Sequence, residues 1–271
     1  MKHLPVEGFL SGASVRHDGV DAHALWRLYA QGASQLWSGA ERGESRLARG
    51  AALAMSGVSH VEMNFGIVDA APGAECRLRE FVACLRERRL PGYLVLGDAV
   101  ADELAPTAHD LGLVRRGTTP LLLSRGADPP RPPGEFRARR LTAAADVPAF
   151  TEVVARAWSL PVDLAARAFG PAALGAPGVE LFLLNDVATG APVSAAVSTA
   201  TGGAVGVWAV STVPQQRGRG AARALLAALL RHHRDTAAAF YLTAAGGGRR
   251  LYEELGFETV AEGVAWDVTL P

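Results

Sequence analysis

The segment that most constrains the fold runs from Val205 to Ala222, VGVWAVSTVPQQRGRGAA. It opens as an apolar strand, and Pro214 ends that strand because proline cannot donate a ladder hydrogen bond. A turn carrying Gly218 and Gly220 follows, and then an amphipathic helix bearing Leu225, Leu226, Leu229 and Leu230. A strand, a glycine turn and a helix start, in that order, make an anion site. The first helical N–H groups have no intrahelical acceptor and the helix dipole is positive there. Gly218 and Gly220 allow a close backbone approach, and Arg217 and Arg219 add charge.

Basic-residue composition narrows which anion chemistry is possible. Of the 27 basic residues in 271, Lys2 is the only lysine. A P-loop, a protein kinase, a PLP enzyme and a serine β-lactamase each need an interior lysine, so all four are excluded. The 27 acidic residues balance the basic ones, which removes the overall positive field that drives nonspecific nucleic-acid binding. Gly218-x-Gly220 resembles the start of a Rossmann fingerprint, but Arg223 stands where the third glycine belongs, and the motif lies too near the C-terminus for a full βαβαβ unit.

Periodicity sets the wider organisation. In the first half it predicts a helix near Asp21–Leu36, a strand around Val58–Val68, a helix from about Glu75 to Leu90 and a strand Tyr93–Leu96. A helix near Asp102–Leu111 and a strand Leu113–Leu123 complete that half. The proline-rich stretch SRGADPPRPPGE, Ser124 to Glu135, is the expected linker. Beyond it the pattern predicts a helix near Asp146–Trp158, a strand Val179–Leu184, and a hairpin of Val193–Thr199 with Ala204–Val213 across Gly202-Gly203. A helix Gly218–Arg234, a strand Ala238–Thr243, a short helix Arg249–Leu255 and extended chain complete it. A shift of 144 residues lays Leu111-Gly112-Leu113 on Leu255-Gly256-Phe257, so the two halves read as related units.

No stretch of about 18 apolar residues and no signal-like N-terminal core occurs, so a soluble, cytoplasmic protein without membrane partners is expected. Cys76 and Cys84 fall too far apart on one helix to pair, and are expected to be free and mostly buried thiols. His60-Val61-Glu62 has the H-x-E order of zinc deaminases without the partner P-C-x-x-C, and reads as part of a strand. His232-His233 ends a helix, where partial charge suits the dipole, and no metal is expected.

Two motifs together resemble the GNAT superfamily of N-acetyltransferases. Its acetyl-CoA signature [QR]-x-x-G-x-[GA] fits in two registers, Gln215 to Gly220 and, better, Arg217-Gly218-Arg219-Gly220-Ala221-Ala222, and LYEELGF at Leu251–Phe257 looks like its second signature, one helix and one strand later. The resemblance implies an α/β fold, a mixed sheet flanked by helices, as two GNAT-like domains in tandem. Residues 1–124 would form a degenerate domain, 125–135 a linker, and 136–271 the domain that binds acetyl-CoA. It implies that Val210 and Thr212 hold the pantetheine arm through their backbone, that Arg217, Gly218, Arg219, Gly220, Ala221 and Ala222 cradle the pyrophosphate, and that Tyr252 protonates the leaving thiolate.

Departures from the family pattern also matter. The family's asparagine seven residues before the tyrosine is Ala245, and Ala204–Val213 offers no carboxylate as a general base. Glu152, Asp163, Glu180 and Asp186 are acidic candidates in the same half, and none is singled out. The first half, with Ala108 opposite Tyr252 and Gly73–Leu78 opposite the arginine turn, would have lost CoA binding and would shape a cleft or an interface. The expected activity is acetyl transfer to a primary amine by direct attack, the acceptor being a small-molecule amine in preference to a protein. A noncatalytic acyl-CoA-binding or regulatory protein is the alternative.

Overall fold

The computed structural model describes residues 21–70, 72–126, 129, 134–244 and 248–270. Lys2, Ala245, Gly246, Gly247 and most of the expected linker lie outside them. Among the described residues, seven helices flank one mixed sheet of 11 strands. In chain order the elements are α1 (Ala22–Leu36), β1 (Glu44–Ala48), β2 (Ala51–Met55), β3 (Asn64–Val68), α2 (Ala74–Glu87), β4 (Gly92–Leu96), α3 (Ala101–Asp110) and β5 (Val114–Ser124). The second half adds β6 (Phe136–Arg140), α4 (Val147–Trp158), α5 (Val162–Ala168), β7 (Val179–Asp186), β8 (Pro192–Thr201), β9 (Ala204–Thr212), α6 (Ala221–His233), β10 (Ala239–Thr243), α7 (Arg249–Glu253) and β11 (Glu258–Val268).

Strand order across the sheet is β1-β2-β3-β4-β11-β5-β10-β9-β8-β7-β6. The two halves exchange their last strands. β11 lies antiparallel between β4 and β5, and β5 lies antiparallel between β11 and β10. Side chains cement the exchange: Trp266 of β11 is fully buried among Leu78, Phe81, Leu85 and Leu104 of the first half and meets His109 edge-on at 4.9 Å. In the other direction Leu121, Leu122 and Leu123 of β5 are buried with Phe240 and Phe257. A boundary at residues 125–135 divides the sequence but not the sheet.

An internal repeat is visible in backbone geometry. Gly112 and Gly256 have left-handed φ values of +68° and +82° and close α3 and α7 in the same way. Leu113 N–H donates to Ala108 O and Phe257 N–H to Tyr252 O, each at 3.0 Å, while each glycine N–H donates three residues back. That double closure satisfies the last carbonyls of a helix and needs a residue free to take positive φ. β5 and β11 begin 144 residues apart, whereas the N-caps of α2 and α6, Gly73 and Gly220, are 147 apart. The arginine turn therefore corresponds to the residues ending in Gly73, three positions before the expected register. Position 252 falls on an alanine, Ala108 or Ala105, under either shift.

Other expectations need correction. Residues 61–63 form a short 3-10 turn, with Glu62 N–H donating to His60 Nδ1 at 3.3 Å, and only Asn64–Val68 is strand. The imidazole captures the amide that a longer strand would have needed for its ladder. Cys84 is buried and Cys76 exposed, because position 76 falls on the outer face of α2. No helix among the described residues is long and apolar enough to cross a membrane.

Candidate active site

β9 and β10 run parallel only from Ala204↔Ala239 to Gly206↔Tyr241. Beyond Gly206 the two strands have no common ladder, so the β10-facing backbone edge of residues 207–212 opens into a cleft. A bulge sharpens the opening: β8 pairs Ala195 with Ser211 and Val197 with Trp208, so Ala209 and Val210 together face Ala196. Ala209 takes φ +50° there. A bulge of this kind bends its strand and re-aims the backbone groups beside it. Ala209, Val210 and Thr212 are half-buried while Val205 and Val207 are buried, as expected for a strand whose far end lines a groove. In the first half the parallel pair β3–β4 stays joined from Phe65↔Tyr93 to Val68↔Leu96, so no equivalent cleft forms.

The glycine turn sits directly after β9. Gly218 and Gly220 have φ +75° and +82°, and no atom stands within 4 Å of where a Cβ would be on either. Gly220 caps α6 without any side-chain acceptor, and the first helical bond runs from Ala224 N–H to Gly220 O at 2.9 Å. Amides ahead of Ala224 thus lie outside the helix ladder. Arg217, Gly218, Arg219 and Gly220 are exposed, Ala221 is buried and Ala222 half-buried. The two guanidinium groups do different work. Arg217 pins the turn by donating to Thr212 O at 3.2 Å and Ala157 O at 2.9 Å. Arg219 donates to Gln216 Oε1 at 2.5 Å and lies 3.7 Å from Asp186 and 3.8 Å from Glu135, the two acidic contacts being loose enough for an anion to compete with.

On the other side of the splay is a cavity of about 360 Å³. β9 supplies Val207 through Val210, β10 Thr243 and α7 Tyr252, so the expected acid and one expected pantetheine contact share its wall. Burial pushes the Tyr252 phenol up to about 12. The opposite wall comes from the first half through Tyr29, Glu62, Phe65, Tyr93 and Arg116.

The acidic candidates from the second half do not reach this cavity. Glu152 and Asp163 are exposed, and Asp186 accepts from the N–H groups of Ala188 and Thr189 at 3.0 Å. Glu180 lies 2.9 Å from His232 and 3.3 Å from both His233 and Arg140, and its Oε2 with the two imidazoles is a compact set of metal-type donors. Arg140 already supplies a positive charge to the other oxygen of Glu180, and His233 Nε2 is within 2.9 Å of Ser198 Oγ. The carboxylate that does line the cavity is Glu62, from a segment that reads as structural in sequence.

Residues 172–257 match the model of the acetyltransferase (GNAT) family. That stretch belongs to the GNAT family. The splay of β9 and β10, the glycine turn and Tyr252 all fall inside the GNAT domain. No curated protein matches the sequence. Among solved structures, a GCN5-related N-acetyltransferase from Kribbella flavida is similar at 20% identity and TM-score 0.62, over 90% of this chain and 94% of its own. A GCN5-related N-acetyltransferase from Sphaerobacter thermophilus is similar at 17% identity and TM-score 0.56, over 80% and 76%. A tandem GNAT protein from the clavulanic acid biosynthesis pathway is similar at 15% identity and TM-score 0.55, over 84% of each chain. At these identities the likeness is one of fold, and it extends well beyond residues 172–257 into the first half.

Proposed function

We propose that the protein is an N-acetyltransferase that moves an acetyl group from acetyl-CoA to a primary amine by direct attack. The observation that carries this reading is the parting of β9 and β10 after Gly206, with an uncapped helix start at one end and a cavity holding Tyr252 at the other. The turn fits a pyrophosphate: its glycines leave open space, and its amides ahead of Ala224 need acceptors. Gly218, Gly220, Ala221 and Ala222 would bind through the backbone, Arg219 would swing from Gln216 and its loose acidic contacts to a phosphate, and Arg217 would hold the turn in shape. Val210 and Thr212 offer the cleft-facing strand edge to an extended arm, although Thr212 O already accepts from Arg217.

Bound acetyl-CoA supplies an activated acyl carbon and a thiolate leaving group. The amine lone pair forms the C–N bond as the C–S bond breaks, the nitrogen loses one proton and the sulfur gains one. Backbone N–H near the Val210 bulge would stabilise the negative charge growing on the acyl oxygen. Tyr252, kept fully protonated at neutral pH by its burial, would donate to the sulfur. Thiol release from acetyl-CoA with a panel of amines tests this reading. Acetyl-CoA binding without release for any amine, and no effect of Tyr252→Phe, would instead establish a noncatalytic acyl-CoA-binding protein.

A further inference from the structure

The cavity wall contributed by the first half has a chemical character of its own. Tyr29, Trp37, Phe65 and Tyr93 line it, and Trp158 and Trp208 of the second half complete the aromatic lining. Four of the rings form a connected surface: Phe65 stacks on Tyr93 at 5.6 Å and 15° and lies 6.1 Å from Trp208, and Tyr29 lies 4.7 Å from Trp208. Aromatic faces are negative at their centres and attract cations, most strongly where water is excluded. A cation already rests on this wall, since the Arg116 guanidinium sits 5.0 Å from the centre of the Tyr93 ring.

Local charge points the same way. Arg116 lies 2.7 Å from Glu62 and 3.1 Å from Asp267, so one guanidinium serves two carboxylates and a negative charge is left over. His60, stacked on Trp158 at 6.1 Å, does not cancel it, because burial lowers its pKa and keeps the ring neutral. The phenols of Tyr29 and Tyr93 are held neutral by burial as well. A volume of about 360 Å³ is near the lower end for small-molecule pockets, roughly 300–1,000 Å³, and part of it must admit the acyl end of the donor.

We propose that the acceptor is a small amine on an apolar, preferably aromatic, body, taken up as its ammonium ion by an aromatic box that the two halves build together around Glu62. Glu62 is both the counter-ion of the ammonium and the first acceptor of its proton. One N–H bond breaks, the carboxylate becomes a carboxylic acid, and the neutral amine keeps the lone pair for attack. Recognition of the ammonium stands on the cavity alone. Only the proton transfer rests on the acetyltransferase reading.

The test uses the full chain and calorimetric titration with 2-phenylethylamine, its neutral isostere 2-phenylethanol and the anion 3-phenylpropionate. The amine should bind saturably, and the alcohol and the acid at least about tenfold more weakly. Glu62→Gln should weaken the amine by a similar factor and leave acetyl-CoA titration unchanged. With turnover, Glu62→Gln should raise KM for the amine as well as lower kcat. Should Glu62→Gln unfold the chain, Trp158→Leu at the half-buried edge of the box serves instead and should weaken the amine without changing any charge. Equal binding of alcohol and amine, no saturable amine binding, or undiminished binding in the folded variant would overturn the proposal. Selective amine binding without acetyl-CoA binding would overturn the acetyltransferase reading and leave this inference standing.

Discussion

The phenol oxygen of Tyr29 lies 2.9 Å from Oγ1 of Thr243, joining α1 of the first half to β10 of the second at the point where β9 and β10 part. Both residues line the cavity, and Tyr29 is fully enclosed, with its phenol pushed up to about 12. The bond ties the acceptor wall to the strand edge that would carry the donor. Tyr29→Phe keeps the ring and removes the bond. It should cost about 1 kcal/mol, read as a lowered denaturation midpoint, and leave acetyl-CoA binding in place.

Tyr252→Phe separates chemistry from binding. Loss of a general acid typically costs about 10² to 10⁴ in rate, so kcat should fall by that order while KM for acetyl-CoA stays near the native value. Because the folded phenol is raised to about 12 from 10, it should add no alkaline limb to the rate profile below pH 10. Its contribution to stability is complete below pH 10 and is lost as the pH rises from there through about 12, where the unfolded chain ionises first. A rate profile and thermal melts against pH check both statements.

Strand exchange makes each half dependent on the other. Residues 21–124 alone would lack β11, leaving β4 and β5 with unpaired edges and removing Trp266 from the core beside α2 and α3. Residues 134–270 alone would lack β5 between β10 and β11. Neither fragment should give the dispersed amide spectrum of a folded domain, and the two expressed together should copurify. A stable folded fragment would show that the exchange is dispensable.

Gly32 sits inside α1, where alanine would ordinarily gain about 1 kcal/mol. A Cβ there would stand 2.2 Å from Tyr241 Oη and 2.9 Å from both Thr199 Oγ1 and Trp208. Tyr241 is fixed by donating to Leu28 O at 3.1 Å, and Trp208 by donating to Thr199 at 2.7 Å, so neither can swing aside freely. Gly32→Ala should therefore destabilise the protein by about 1–3 kcal/mol, the usual cost of overpacking. Chemical denaturation gives the sign directly.

Much of the second half was legible because its signals are local. The turn at Gly218 and Gly220, the amphipathic α6 and the Leu-Gly closure of α7 each depend on residues a few positions apart. α1 was equally plain, with Asp21 capping it by accepting from His23 N–H at 3.0 Å. The strands β1, ESRLA, and β6, FRARR, carry too few apolar residues to announce themselves, being edge strands with one wet side. The exchange of β5 and β11 was hidden for another reason. β5 read as a strand and β11 only as extended chain, and which neighbour a strand chooses is settled by contacts over a hundred residues away. Glu62 was missed on the same grounds: its meeting with β9 and Tyr252 is a product of the sheet order, and nothing in His60-Val61-Glu62 encodes it.

The most direct measurement is a calorimetric titration of acetyl-CoA into the full chain, native and Gly218→Val, with thermal unfolding as a control that the variant is folded. The native chain should bind one acetyl-CoA, at the β9–β10 cleft, and the variant, whose side chain would fill the open cradle, should bind none or far less. No binding to the native chain, two sites per chain, or undiminished binding by the folded variant would contradict a single cofactor cleft in the second half.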